Sequence, residues 1–382
     1  MRILVLHSRY LSGPASGENR VVEDEVGLLR EAGHDVTSWM PTLTAAPRAL
    51  DLAAAGLRSV WSAKSAARVR DALREKSIDV MHVHNLFPML SPSVLRAAHE
   101  EGVRVVATLH NYRLLCLPAT LLRDGRTCED CVGRLPWPGV LHKCYRASSG
   151  GSAALATSLT VHRAFGTFRS VALYLAVSEF VRAKHVEGGF PPDRIRVKPN
   201  FTWPTQRRAG PGRYFLYLGR LAPEKGMTPL LQAWRDVPAD LLIAGDGPDR
   251  RRLARFAPDH VRLLGQVQPG RAKQLVRGAR ALIVPSTWYE GAPRSIAEAY
   301  AAGVPVIASR LGGLPEFVAQ GASGFLVPPA DAGALRRAAM QLLDDETSER
   351  LGEGAYRLWL KRFTPEQGLR DLEGAYAAAT IP

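Results

Sequence analysis

No stretch of this 382-residue sequence approaches the roughly 20 uncharged apolar residues of a membrane-spanning helix, so a bundle of such helices is excluded and a soluble chain is expected. Tandem repeats and long low-complexity tracts are also missing. The start, Met1-Arg2-Ile3-Leu4-Val5-Leu6-His7, lacks a small-residue cleavage site after its short apolar run; it reads as a first strand and points to the cytoplasm. Acidic residues are in deficit, 36 against 50 Lys and Arg, which leaves a formal charge of +14. That balance raises nucleic acid or an anionic surface as a partner. Of the 50 cations, however, 42 are Arg, scattered with no run of five or six. The scatter speaks against nucleic acid and leaves room for peripheral contact with anionic lipid at the inner face of a membrane. Cysteine is scarce: Cys116, Cys128, Cys131 and Cys144 are the whole set, confined to one segment.

With 46% apolar and 23% charged residues the composition is globular, and the length suits two domains with a core each. Strand-like apolar runs are predicted at residues 2–6, 35–39, 79–83, 103–109, 174–177 and 195–198, with helical patterns between them. The first helix is the most legible: Val22, Val26 and Leu29 recur at helical spacing and Gly33 follows where a left-handed cap would sit. Five prolines between Gly188 and Gly212 then break the rhythm and read as a linker. Strands resume at 214–218, 240–244, 261–264, 281–284, 304–308 and 324–327, followed by helices at 331–343, 348–361 and 365–379. This order predicts an α/β chain of two Rossmann-like parallel-sheet domains, with ligands beyond the carboxyl ends of the strands.

Two loops in the second half carry the chemistry. Gly219-Arg220-Leu221-Ala222-Pro223-Glu224-Lys225-Gly226 follows a strand and leads into a helix, placing Arg220 and Lys225 where a diphosphate would find forked donors, an ammonium and free backbone N–H groups. Farther on, Glu290-Gly291-Ala292-Pro293-Arg294 precedes a helix that contains Glu298. Pro293 suits a first helical turn, so Glu290 lies just before the N-terminus and Glu298 more than a turn inside. Ionised carboxylates accept paired hydroxyl hydrogen bonds, which sugars and ribose offer, while the N–H groups of Gly291 and Ala292 face phosphate or sugar oxygens. Taken singly, each of these side chains also reads as an ordinary surface charge.

As a set, Gly219-Arg220, Glu224-Lys225-Gly226, Ala244-Gly245-Asp246-Gly247-Pro248, Glu290 with Glu298, Gly303-Val304-Pro305 and Gly312-Gly313-Leu314-Pro315-Glu316 resemble the signature of the family-four retaining glycosyltransferases with the GT-B fold. The resemblance implies two domains facing across a cleft: residues 1–202 on the acceptor side with a Cys-containing insertion at 113–150, residues 203–364 binding a nucleotide-sugar donor, and a helix at 365–382 returning to the first domain. It implies that Arg220 and Lys225 bind the donor diphosphate, that Glu298 holds the ribose and Glu290 the sugar, and that Val267, in Gly265-Gln266-Val267, lies at the base edge. Pro293 stands where relatives usually have Gly and removes one backbone N–H. UDP is the favoured carrier. The acceptor is left open among a glycan, a lipid-linked or a small-molecule hydroxyl.

In the first half, Gly17 lies in a long loop, Ser8 to Arg20, similar in place to the family's glycine-rich loop. His110 resembles the family's histidine at the reaction centre. His82 and His84 share one strand face, yet the family needs no catalytic metal, and strand-end histidines commonly bond a loop. Cys128-Glu129-Asp130-Cys131 with Cys116 and Cys144 offers the ligand set of a structural zinc, the alternative being four ordinary buried thiols. The resulting expectation is a retaining glycosyltransferase using a nucleotide-diphosphate sugar without a catalytic metal. Its rivals are a non-catalytic nucleotide-sugar or glycan binder of the same fold and a nucleotide-sugar epimerase.

Overall fold

The computed structural model describes residues 1–9, 17–42, 56 and 58–380. Two compact units divide the chain: Met1–Arg123 with Cys128–Pro199 and Gly368–Pro382 in the first, Asp124–Thr127 with Asn200–Gln367 in the second.

The first unit is built on six parallel strands, β1 (Arg2–Leu6), β2 (Asp35–Trp39), β3 (Val80–Val83), β4 (Arg104–Leu109), β7 (Leu173–Ala176) and β8 (Ile195–Val197), in the order β2-β1-β3-β4-β7-β8. A two-stranded hairpin, β5 (Leu122–Arg123) with β6 (Arg126–Thr127), interrupts the series and was not predicted; four residues of strand carry too little periodicity to be read. The helix Gly17–Glu31 turns Val22, Val26 and Leu29 onto the sheet, where they pack with Ile3, Val5, Val80 and Val106. The final helix, Pro365–Thr380, buries Leu372, Ala375, Tyr376 and Ala379 in the same core.

The second unit repeats the plan with β9 (Tyr214–Leu218), β10 (Leu241–Ala244), β11 (Val261–Gly265), β12 (Ala279–Val284), β13 (Val306–Ser309) and β14 (Gly324–Val327), ordered β11-β10-β9-β12-β13-β14. Its core lies on both faces of the sheet, around Trp234, Leu230 and Ile243 on one side and Tyr300, Ile296 and Trp359 on the other. All twelve strands of the two sheets coincide with predicted runs, apart from shifts of a residue or two at their ends. The Pro-rich linker is not a loose tether. From Asn200 onward it packs into the second unit, with the Thr202 amide donating to Phe363 O at 2.9 Å and the Arg208 guanidinium donating to the Pro211 carbonyl at 2.8 Å and the Arg280 carbonyl at 2.9 Å.

In each sheet the chain order reverses at one place, between β1 and β3 and between β9 and β12. Such switch points leave a crevice beyond the strand ends.

Candidate active site

The loops after β9 and β12 meet at the second switch point. Gly226 makes this possible: its φ is +70°, and a Cβ there would lie 1.8 Å from the Pro285 carbonyl oxygen, so only glycine lets the two loops touch. The Thr287 amide then donates to Glu224 O at 2.9 Å. Gly245, at φ +149°, approaches the first loop just as closely, its imaginary Cβ 1.8 Å from Gly219 O, so the Ala244-to-Pro248 motif serves as backing for the basic loop.

Within this frame Lys225 and Glu290 come together. Lys225 Nζ is 2.6 Å from Glu290 Oε1, the Ser286 hydroxyl donates to the same oxygen at 2.6 Å, and the ammonium sits 4.7 Å from the centre of the Trp288 ring. Glu290 is 8% exposed. Burial works to raise its pKa, but the Lys225 charge and the bonds it receives outweigh this and hold the carboxyl below its ordinary value. The glutamate is therefore an acceptor at neutral pH. Its backbone is fixed as well, since Gly313 N donates to Glu290 O at 2.8 Å.

The other predicted donor residues have separate partners. Arg220 is exposed and ion-paired with Glu224. Glu298 Oε1 accepts from Arg294 Nε at 3.2 Å and Nη2 at 3.1 Å, within the helix Arg294–Ala301. Pro293 stands just outside that helix: its φ of −65° would suit a first turn, but its ψ of 117° is extended. The Ala292 carbonyl accepts from Asn200 Nδ2 at 3.3 Å, and Val267 packs at the edge of the core. The Ser286 hydroxyl and the Arg294 side chain were missed in the sequence. Arg294 was discoverable, because it stands four residues before Glu298 on one helix face.

In the first unit His110 follows β4. Its Nε2 is 2.8 Å from Nδ1 of His84, with ring centroids 5.1 Å apart and planes 20° apart, the geometry of two imidazoles bonded edge to edge. Burial drives both pKa values well below the ordinary histidine range, so each ring is neutral and one proton lies between them. Behind His84, its Nε2 faces Glu25 Oε2 at 3.7 Å, and Glu25 is bound by Lys198 at 2.6 Å, both side chains 1% exposed. A carboxylate on that side favours the His84 tautomer with a protonated Nε2, which leaves Nδ1 to accept from His110. Glu25, His82 and His84 form the one group of three metal-type donors among the described residues. They are already engaged: His82 bonds Tyr376 and Thr108 at 2.8 Å through its two nitrogens, and the Lys198 ammonium neutralises Glu25.

Gly17 opens the helix Gly17–Glu31, while residues 10–16 of its loop lie outside the described residues. Next to it Glu18 accepts from Asn111 Nδ2 at 3.0 Å, and burial raises its carboxyl to about 7.

The four cysteines cluster in the first unit, where Cys131 lies within electrostatic range of Cys116, Cys128 and Cys144. None of them is in a disulfide, and no three of their sulfurs lie within 4.8 Å of one another. Burial pushes the Cys116 thiol up to about 11 and raises Cys131. The Glu129-Asp130 turn is tied by ion pairs, Arg123 to Asp130 at 2.7 Å and Lys184 to Glu129 at 2.9 Å. Metal analysis of the purified chain tests the four-thiolate site: about one zinc per molecule, lost together with structure on chelation, is expected if the thiolates hold it, and metal-free, fully folded protein would dispose of it.

Two Rossmann-like parallel sheets, the second with a basic loop and a buried carboxylate at its switch point, place the chain among GT-B proteins. Two family models match consecutive parts of it, Glycosyltransferase Family 4 over residues 15–202 and Glycosyl transferases group 1 over residues 203–358. The chain belongs to the family-four glycosyltransferases of GT-B fold. It is similar to the phosphatidyl-myo-inositol mannosyltransferase of Mycolicibacterium smegmatis, 27% identical over 84% of this chain and 79% of the relative. An uncharacterized glycosyltransferase of Methanocaldococcus jannaschii is 28% identical over 44% of this chain, a match that spans about half (48%) of that relative. In fold it resembles Anabaena HepE solved with UDP-glucose, with a TM-score of 0.70 at 18% identity over 99% of this chain and 100% of that one.

Proposed function

We propose that the chain is a retaining hexosyltransferase that moves a sugar from a UDP-sugar to an acceptor hydroxyl. The observation that carries this reading is the meeting of Lys225, Glu290 and Ser286 at the switch point of the second sheet, where a cation for the diphosphate and an ionised carboxylate for sugar hydroxyls are held side by side. The UDP and UDP-glucose complexes of HepE support uracil as the base. In the proposed reaction the acceptor oxygen bonds to the anomeric carbon on the face from which the diphosphate departs. The bond from that carbon to the phosphate oxygen breaks, and the hydroxyl proton passes to the leaving diphosphate. Arg220, Lys225 and loop N–H groups stabilise the charge that develops there. Glu298, presented by Arg294, receives the ribose hydroxyls.

Incubation with a panel of nucleotide sugars and acceptors tests this, with nucleotide release and product anomeric configuration as readouts. Acceptor-dependent transfer from a UDP-sugar with retained configuration is expected, and Glu298→Ala should weaken UDP binding about ten- to a hundredfold, the loss of hydrogen bonds to a charged acceptor. Donor binding without any turnover would identify a non-catalytic binder. An inverted product would overturn the same-face mechanism.

A further inference from the structure

The first unit carries a short helix with its apolar face turned to water. In Trp137–Leu141 the residues four apart, Trp137 and Leu141, share one face and are 52% and 80% exposed, while Gly139 between them is buried against Leu117. This inverts the usual orientation of an amphipathic helix. Leu135, 52% exposed, and Phe165, 70% exposed, add to the surface. They belong to the same part of the unit: Arg163 Nη1 donates to the Arg134 carbonyl at 3.2 Å, which joins the residue before Leu135 to the end of the helix Ser149–Ala164, and the short helix packs against that longer one.

The segment that carries this helix is basic, and the neighbouring carboxylates of Glu129 and Asp130 are paired with Lys184 and Arg123. From Cys131 to Ser178 the sequence contains no Asp or Glu, but it contains Arg134, Lys143, Arg146, Arg163 and Arg169. Arg134, Lys143 and Arg146 are exposed, and none of the three has a carboxylate partner among the described residues. Exposed aliphatic and indole groups ringed by unpaired cations match the layered chemistry of an anionic bilayer surface, with acyl chains below and phosphates above. No helix among the described residues is long and apolar enough to cross a membrane, so the contact would be peripheral.

We infer that Trp137, Leu141 and Leu135, flanked by Arg134, Lys143 and Arg146, form a docking face for an anionic lipid surface. This inference concerns the first unit alone and stands apart from the donor assignment. The face would hold the chain where lipid-borne hydroxyls are concentrated.

Sedimentation with vesicles of phosphatidylcholine, with and without about one third phosphatidylglycerol, tests the inference. The intact chain is expected to bind the anionic vesicles and to bind less as salt rises, since the flanking charges are screened. Trp137→Ser with Leu141→Ser should weaken binding roughly ten- to a hundredfold, as removal of two buried apolar groups predicts. Both side chains are exposed, so the variant should fold, and an unchanged circular dichroism spectrum and melting temperature would verify that it does. Vesicle binding unaffected by the double substitution would overturn the assignment, as would no binding at low salt. A self-association abolished by the same substitutions, without vesicle binding, would assign the face to a second copy of the chain.

Discussion

Replacing Lys225 with Ala is expected to lower kcat about 10²- to 10³-fold with the preferred UDP-sugar, the range for losing one charged contact to a developing oxyanion. The expectation follows from the position of the ammonium, 2.6 Å from Glu290 and over the Trp288 ring, on a loop that Gly226 holds against the neighbouring strand end. The substitution acts twice. It removes the cation proposed for the diphosphate, and it leaves Glu290 buried with only Ser286 donating to its Oε1, so the carboxyl loses the charge that keeps it ionised. Lys225→Arg keeps the charge but not the compact ammonium, and is expected to recover part of the loss. Steady-state kinetics together with UDP affinity separate the two effects: a fall confined to affinity would mean uniform binding, whereas a fall in kcat marks transition-state stabilisation. Wild-type kinetics in Lys225→Ala would remove this lysine from the mechanism.

The fold was legible because its signals are local. Buried parallel strands are short apolar runs, and alternation with helical spacing names the class. The second-unit site was legible as residue identities, because Arg220, Lys225, Glu290 and Glu298 are spaced along loops and one helix. Their pairing was not. That Lys225 meets Glu290 depends on two loops touching at Gly226, a contact between residues 65 apart in sequence, whereas Arg220 meets Glu224 only four residues away. The cysteine segment meets the same limit: Cys128 and Cys131 have ligand spacing, but the positions of Cys116 and Cys144 are set by tertiary packing. In the first unit the sequence placed His82 and His84 on one face, and their centroids are 4.2 Å apart. It gave no sign of Glu25 or Lys198 beside them, because a glutamate in an amphipathic helix and a lysine after a strand look like surface charges.

That buried pair carries the second large effect. Lys198→Met should destabilise the protein by about 3–5 kcal/mol, the cost of leaving one partner of a buried ion pair uncompensated. Glu25 and Lys198 are each 1% exposed and 2.6 Å apart, and Glu25 Oε2 has no hydrogen-bond partner, so no solvent or second donor replaces the lost ammonium. Urea unfolding measures the shift. The double variant Glu25→Leu with Lys198→Met should regain most of the loss, because an apolar pair of similar volume is often as stable as the ion pair it replaces. The two variants then differ in what they reveal. If the pair only stabilises the fold, the double variant should turn over normally. If the Glu25 carboxylate also sets the His84 tautomer, the double variant should be stable yet slower, since His110 would no longer be held as the donor to His84. A stability change under 1 kcal/mol for Lys198→Met would show that the pair is far less buried in solution than its geometry indicates.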